Sequence, residues 1–313
     1  MTSAQVHGHA ELPPPALQEV SAGVFAYVQL DGSWGLNNTG FIVAGDSVLA
    51  IDTCFTERRS RWFKEAIERT APGKPVKTLV NTHHHGDHTH GNWVFGPNVT
   101  IVGHERCRDE VIAAGHFTTA LFPGVEWGEI RIAPPNLTFS DRLTLWADEL
   151  RIELIYMGVA HTTNDIVAWL PDRGVLYTGD LVFNGGTPFV MMGSVAGSLE
   201  ALARLKELGA KTLVPGHGPV CGPEAIEANE EYLRFVQDTA RRGLEAGLSP
   251  LEAARETDLG RFADLLDRER LVGNLHRAYA ELSGGERGAP LPLPAVVADM
   301  VAYNDGQMPR CLA

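Results

Sequence analysis

Apolar residues in the first two thirds of the chain come in short bursts that alternate with polar ones, the period of a half-buried strand. In the last third they recur at helical spacing. Strands are predicted over residues 24–30, 40–43 and 48–52, each rich in apolar or β-branched residues and bounded by Gly, Asn or Asp. Residues 58–69 then read as a helix with Trp62, Phe63, Ala66 and Ile67 on one face. Further strands follow at 76–81, 100–102, 143–146, 150–156, 166–170, 174–178 and 212–214, with helices at 105–114 and 198–208. From residue 223 the pattern is almost wholly helical, over 223–246, 250–255, 264–282 and 295–303. Two blocks of strands, each followed by helices, predict an α/β fold in which two sheets stack face to face with helices outside.

The organisation expected is a flexible tail over 1–20, closed by Pro13 to Pro15, a core over 21–221, and a helical C-terminal region over 222–313 packed on that core as a single structural unit. His7 and His9 in the tail read as ordinary residues, not a metal site. With 26 Lys and Arg against 39 Asp and Glu, the net charge is −13, which opposes a surface that tracks nucleic-acid phosphates. The start lacks a basic and apolar leader, and no apolar run approaches the ~18 residues of a spanning helix, so neither export nor a membrane is expected. Cys54, Cys107, Cys221 and Cys311 are scattered, which fits a reduced, cytoplasmic enzyme.

Chemistry concentrates at His83-x-His85-x-Asp87-His88, directly after the strand ending in Asn81 and Thr82. Histidines at i and i+2 on a strand end project to one side, and Gly86 is read as the turn that brings Asp87 and His88 in from another direction. His161 in GVAHTTND, Asp180 in LYTGD and His217 in VPGHGP each sit where an apolar strand stops at a glycine-containing turn. Imidazole and carboxylate are the usual nitrogen and oxygen ligands of zinc. His84, His90, His104, His116 and His276 fall outside this pattern and read as ordinary or neighbouring groups, with His116 a candidate for the cleft.

HHHGDH, AHTTND, YTGD and PGHGP resemble the ordered ligand motifs of the metallo-β-lactamase superfamily over about residues 20–220. The resemblance implies an αββα four-layer sandwich. It also implies two Zn2+ ions, in preference to iron or manganese. His83, His85 and His161 would hold one, Asp87, His88 and His217 the other, and Asp180 would bridge. Such a pair lowers the pKa of water from 15.7 to about 7 and polarises a carbonyl oxygen. Asp180, by bridging, and Asp87, by passing a proton to the leaving group, are the expected catalytic residues.

Four stretches carry a narrower likeness: WGEIRIAPPNLTFSDRLTL (127–145), GGTPFVMMGSVAGSL (185–199), RLVGNLHRAYAEL (270–282) and VAYNDGQMPRCLA (301–313). They resemble the actinorhodin-type second-ring cyclase/thioesterases of bacterial aromatic polyketide biosynthesis. That implies a partly cyclised poly-β-ketone on an acyl carrier protein, a further ring closed by aldol condensation and dehydration, and hydrolysis of the thioester. Candidate pocket residues are Phe117, Phe122, Trp127, Phe183, Phe189, Met191 and Met192, with Asn184, Thr187 and Tyr303 as hydrogen-bonding groups. Arg58, Arg59, Arg61 and Lys64, and separately Arg234, Arg241 and Arg242, are weighed as carrier-docking patches and read in the first instance as solvated helix faces. A homo-oligomer is compatible with the sequence. The alternatives are another dinuclear zinc hydrolase, glyoxalase II-like or a lactonase, and an iron-dependent oxidoreductase on the same scaffold.

Overall fold

A computed structural model describes residues 14–313; His7 and His9 lie outside the described residues. Strands β1 (Ala16–Ser21), β2 (Val24–Val28), β3 (Thr39–Ala44), β4 (Ser47–Ile51), β5 (Val76–Val80), β6 (Thr100–His104) and β7 (Leu137–Phe139) form one sheet in sequence order. It is antiparallel up to β4 and parallel from β4 to β7. The second sheet comprises β8 (Arg142–Ala147), β9 (Leu150–Tyr156), β10 (Ile166–Leu170), β11 (Val175–Phe183) and β12 (Thr212–His217). Its strands are antiparallel except for the β11–β12 pair.

Alternation decides what lies between the sheets. Ala26, Ile42, Leu49 and Ile51 from the first sheet meet Ile152, Leu154, Ile166 and Leu170 from the second in one buried cluster. Helix α1 (Glu57–Thr70) covers the first sheet through Phe63, Ala66 and Ile67, packed on Phe41 and Leu79. Its N-cap Thr56 accepts from the Arg59 peptide. Trp62, expected on that inner face, is instead exposed beneath the Arg58 guanidinium, because it falls just outside the buried stripe. Shorter helices follow: α2 (Gly86–Thr89), α3 (Glu105–Ala114) and α4 (Phe117–Leu121). Against the second sheet lie α5 (Val195–Leu208), α6 (Glu224–Glu245), α7 (Pro250–Glu256), α8 (Arg270–Leu282) and α9 (Leu293–Tyr303). Helices therefore flank a two-sheet sandwich, with additional C-terminal helices.

Three boundaries differ from expectation. Residues 16–20, expected in the tail, instead belong to a strand that pairs with β2 from Ala16; residues 1–13 of that expected tail lie outside the described residues. β11 runs five residues beyond 178 to Phe183, buried throughout, so the run reads as core rather than alternation. The helix expected from 264 begins at Arg270, since Asp267 is in the left-handed region at φ 57°. Among the described residues no helix is long and apolar enough to cross a membrane. All four cysteines are free thiols.

Candidate metal centre

The strand ends of both sheets deliver the polar cluster to one edge of the sandwich. His83 and His85 leave the end of β5, and α2 carries Asp87 and His88 one turn on. His161 comes from the loop after β9, Asp180 lies within β11, and His217 ends β12. One ligand atom from each of His83, His85, His161 and Asp180 falls within 4.8 Å of the others, and the same holds for Asp87, His88 and His217. Asp180 joins the groups: its carboxylate lies 3.4 Å from both His161 and His217 Nε2 and 3.1 Å from His88 Nε2. All seven expected residues are thus brought together.

The rings are held so that their lone pairs face inward. His217 Nδ1 is 3.0 Å from the Gly32 carbonyl, and His161 Nδ1 bonds the Phe189 carbonyl. A carbonyl only accepts, so both Nδ1 atoms carry the proton and both Nε2 atoms are free to bind a cation. His88 Nδ1 is fixed in the same way by Asp52 Oδ2 at 2.8 Å. Asp52, whose carboxylate also accepts from the Thr82 peptide and hydroxyl at 2.7 Å, is a functional residue that sequence reasoning missed. Its only local signal was an acid closing an apolar strand.

His83 Nε2 is buried with no hydrogen-bond partner, and His88 Nε2 and Asp180 Oδ1, buried 3.1 Å apart, have none beyond that mutual contact. Orphaned polar atoms are costly inside a protein, and here they converge with further nitrogen and oxygen donors. The donor set therefore fits two divalent cations. Burial, reinforced by neighbouring imidazoles, pushes His83 and His85 well below the usual histidine range, leaving them neutral as ligands must be. Burial would also lower His88 and His217, but Asp180 and the other carboxylates outweigh it. His88 is raised well above its usual value and His217 is raised to about 9. Without a cation, then, protons occupy part of the site.

A cavity of about 360 Å³ opens over this cluster. Its floor includes His85, Asp87, His161, Asp180 and His217. Its walls are largely apolar: Trp34, Phe55, Phe117, Leu121 and Phe122 on one side, Phe183, Phe189, Met191 and Met192 on another. Leu293, Val297, Met300, Met308 and Pro309 complete it from the C-terminal region. Six of the ten predicted pocket residues line it, and four do not. Trp127 stands behind the wall, edge-on to Phe55 at 4.6 Å. Asn184 turns away to the Pro219 carbonyl at 2.9 Å. Thr187 is buried against Leu266 and Arg270 through its backbone, and Tyr303 packs into the helical cluster. His116 is exposed and outside the cavity, whereas His84 and His90, not expected to be ligands, line it. Burial pushes both down to about 4.

Residues 32–217 match the model of the metallo-beta-lactamase superfamily. The chain is 29% identical over 249 residues to 2,4-dinitroanisole O-demethylase subunit alpha of Nocardioides sp. (strain JS1661), covering 79% of this chain and 66% of that one. It is 24% identical to a metallo-beta-lactamase type 2 of Bacteroides fragilis, over 72% of this chain and 88% of the relative. It is 27% identical to a hydroxyacylglutathione hydrolase of Rhodospirillum rubrum, over 58% and 61%. The chain thus spans just under two thirds of the demethylase subunit. In structure it is similar to a metallo-beta-lactamase from Pontibacter korlensis, with TM-score 0.59 and 21% identity, over 70% of this chain and 99% of that one.

Proposed function

Because the chain belongs to the metallo-β-lactamase superfamily, we propose that it is a dinuclear zinc enzyme of aromatic polyketide biosynthesis that closes a ring and hydrolyses a carrier-protein thioester. The observation that carries this reading is the apolar, aromatic-rich cavity set directly over a seven-donor centre. A partly cyclised polyketide is flat and largely apolar, with carbonyl oxygens at one edge, and such a ligand suits that combination. When bound, the two ions supply a nucleophilic water at neutral pH and electrophilic polarisation of a carbonyl. The protein's own groups do the rest. Phe117, Phe122 and Phe189 exclude water and orient the ring system. Asp87, at the cavity floor, is placed to pass a proton to the departing sulfur as the acyl C–S bond breaks and a C–O bond forms. Ring closure forms a C–C bond between an enol carbon and a carbonyl carbon, and one water leaves.

An acyl carrier protein is the proposed partner, in a reduced cytoplasmic setting that the four free thiols suit. Of the two basic clusters weighed for docking, the first loses one member to the interior, and exposed members of both are paired. Arg59 is buried, held by Gln29 and the Leu312 carbonyl, while Arg61, Arg234 and Arg241 are each paired with an acid on their own helix. The likeness to hydroxyacylglutathione hydrolase favours a second reading, a thioesterase without cyclase activity. Incubating the zinc-loaded protein with a carrier-bound poly-β-ketone, and separately with glutathione thioesters and lactones, separates the two. Release of a ring-closed acid from the carrier supports the first reading. Turnover of the small thioesters alone overturns it. Metal analysis after purification without added metal should find zinc; iron with oxygen consumption would sink both readings.

A further inference from the structure

Gly86 separates two metal-site residues, His85 and Asp87, yet its backbone does not require glycine, since its φ is not positive. The turn expected from its flexibility is an ordinary helical one at the start of α2. What forbids a side chain there is His90. A Cβ on Gly86 would come 2.5 Å from both Cε1 and Nε2 of that imidazole and 3.0 Å from Cδ2. Glycine lets the imidazole lie close against the α2 backbone, and both residues line the cavity.

The orientation of the ring is settled by its other edge. Nδ1 lies 3.3 Å from the Phe55 carbonyl, which can only accept, so Nδ1 carries the hydrogen and Nε2 keeps its lone pair. The ring stacks on Phe55 at 5.5 Å and 12°, with Trp127 edge-on at 5.9 Å, which holds it against rotation. Nε2 has no hydrogen-bond partner among the described residues. An acceptor of fixed direction therefore stands beside the metal site in a mostly apolar cavity.

We infer that His90 Nε2 is a specificity-determining acceptor that selects substrates carrying a hydroxyl, as an enol or phenol, next to the reacting carbonyl. The assignment rests on the reading that the cavity holds the substrate. A cavity built to pair a hydroxyl rejects an analogue lacking it more strongly than an apolar pocket rejects a missing methylene. The hydrogen stays on the ligand oxygen, so no bond is made or broken at His90.

Binding tests this without turnover. The zinc-loaded full chain is titrated with 2-naphthol and with 2-methoxynaphthalene, which keeps the rings and loses the donor. Wild type should prefer the naphthol by about tenfold, the contribution of one well-aligned hydrogen bond. His90→Phe keeps the stack on Phe55 and should bring the ratio within about twofold of unity, while His90→Gln should keep part of the preference. In parallel, the ¹⁵N signal of the unprotonated His90 nitrogen should move upfield with 2-naphthol and stay in place with the ether. No preference in wild type, or an unchanged one in a folded, zinc-replete His90→Phe protein, would overturn the assignment. Failure to hydrolyse any thioester would instead strike the proposed activity, and the binding ratio would still decide the role of His90.

Discussion

Asp52 shows how a residue that touches no substrate can govern the centre. Its carboxylate meets His88 Nδ1 and two donors of Thr82, so it fixes the ring, its tautomer and the peptide just before His83 at once. Asp52→Asn retains the shape but loses one acceptor, leaving either His88 or Thr82 misdirected. Zinc affinity should fall about 10- to 100-fold, measured by competition with a chromophoric chelator. An unchanged affinity would mean that His88 is oriented by packing alone. A backbone constraint acts on the other side of the cluster. Gly216 precedes the ligand His217, and a Cβ there would run into Asp180 Oδ1. Gly216→Ala should therefore retain fewer than two zinc ions per chain by elemental analysis, in a protein that still folds.

At the level of elements, the ligand set was legible because its residues sit in short motifs, most of them at or just after a strand end, although Asp180 lies inside β11 where the sequence pattern placed the strand's stop before it. A strand fixes the direction of the residue that follows it, so spacing of one or two residues carries the geometry. The pocket was legible only in part, since its walls join stretches with no local pattern in common. Phe55 follows β4, Phe122 follows α4, and Met308 lies beyond α9, and only the tertiary fold makes them one surface. Asp52 stayed hidden for the same reason, 36 residues from His88. Contacts between elements also hold the ligands. Asn229 on α6 accepts from the Phe183 peptide at 3.0 Å and donates to its carbonyl at 2.8 Å, pinning the end of β11. Phe183 in turn stacks on His217 at 5.2 Å and 6°. Asn229→Ala leaves two buried backbone groups unpaired, and should cost about 2–4 kcal/mol in urea unfolding and weaken zinc binding with it. The cavity wall offers a selective change: Val297→Trp on α9 should cut turnover of bulky aromatic thioesters at least tenfold while acetyl thioesters are spared. Equal loss for both would place α9 outside the substrate path.

For the whole molecule, the C-terminal helices are part of the core. Val236, Leu271, Leu275 and Met300 share one buried cluster with Val167, Leu176 and Val182 of the second sheet. The same helices supply a wall of the cavity, so the chain couples its stability to the shape of its site. The metal centre couples stability to pH as well. In the metal-free protein His217 is raised to about 9, because the carboxylates of Asp180 and Asp87 outweigh the effect of burial. The folded state therefore holds a proton that the unfolded chain releases near pH 6.5. Its contribution is fully present below about 6.5 and is lost as pH rises towards 9, a difference of at most about 3 kcal/mol. Metal-free protein should thus unfold at progressively lower urea concentration between pH 6.5 and 9. Zinc competes for the same nitrogen, so over that window its affinity should rise as the proton becomes easier to displace. Calorimetry of zinc binding in buffers of different ionisation enthalpy should show proton release that diminishes with pH. A metal-free stability that is flat across the window, with no proton released on binding, would mean that these carboxylates do not hold His217 protonated, and the electrostatic account of the metal-free protein would fail.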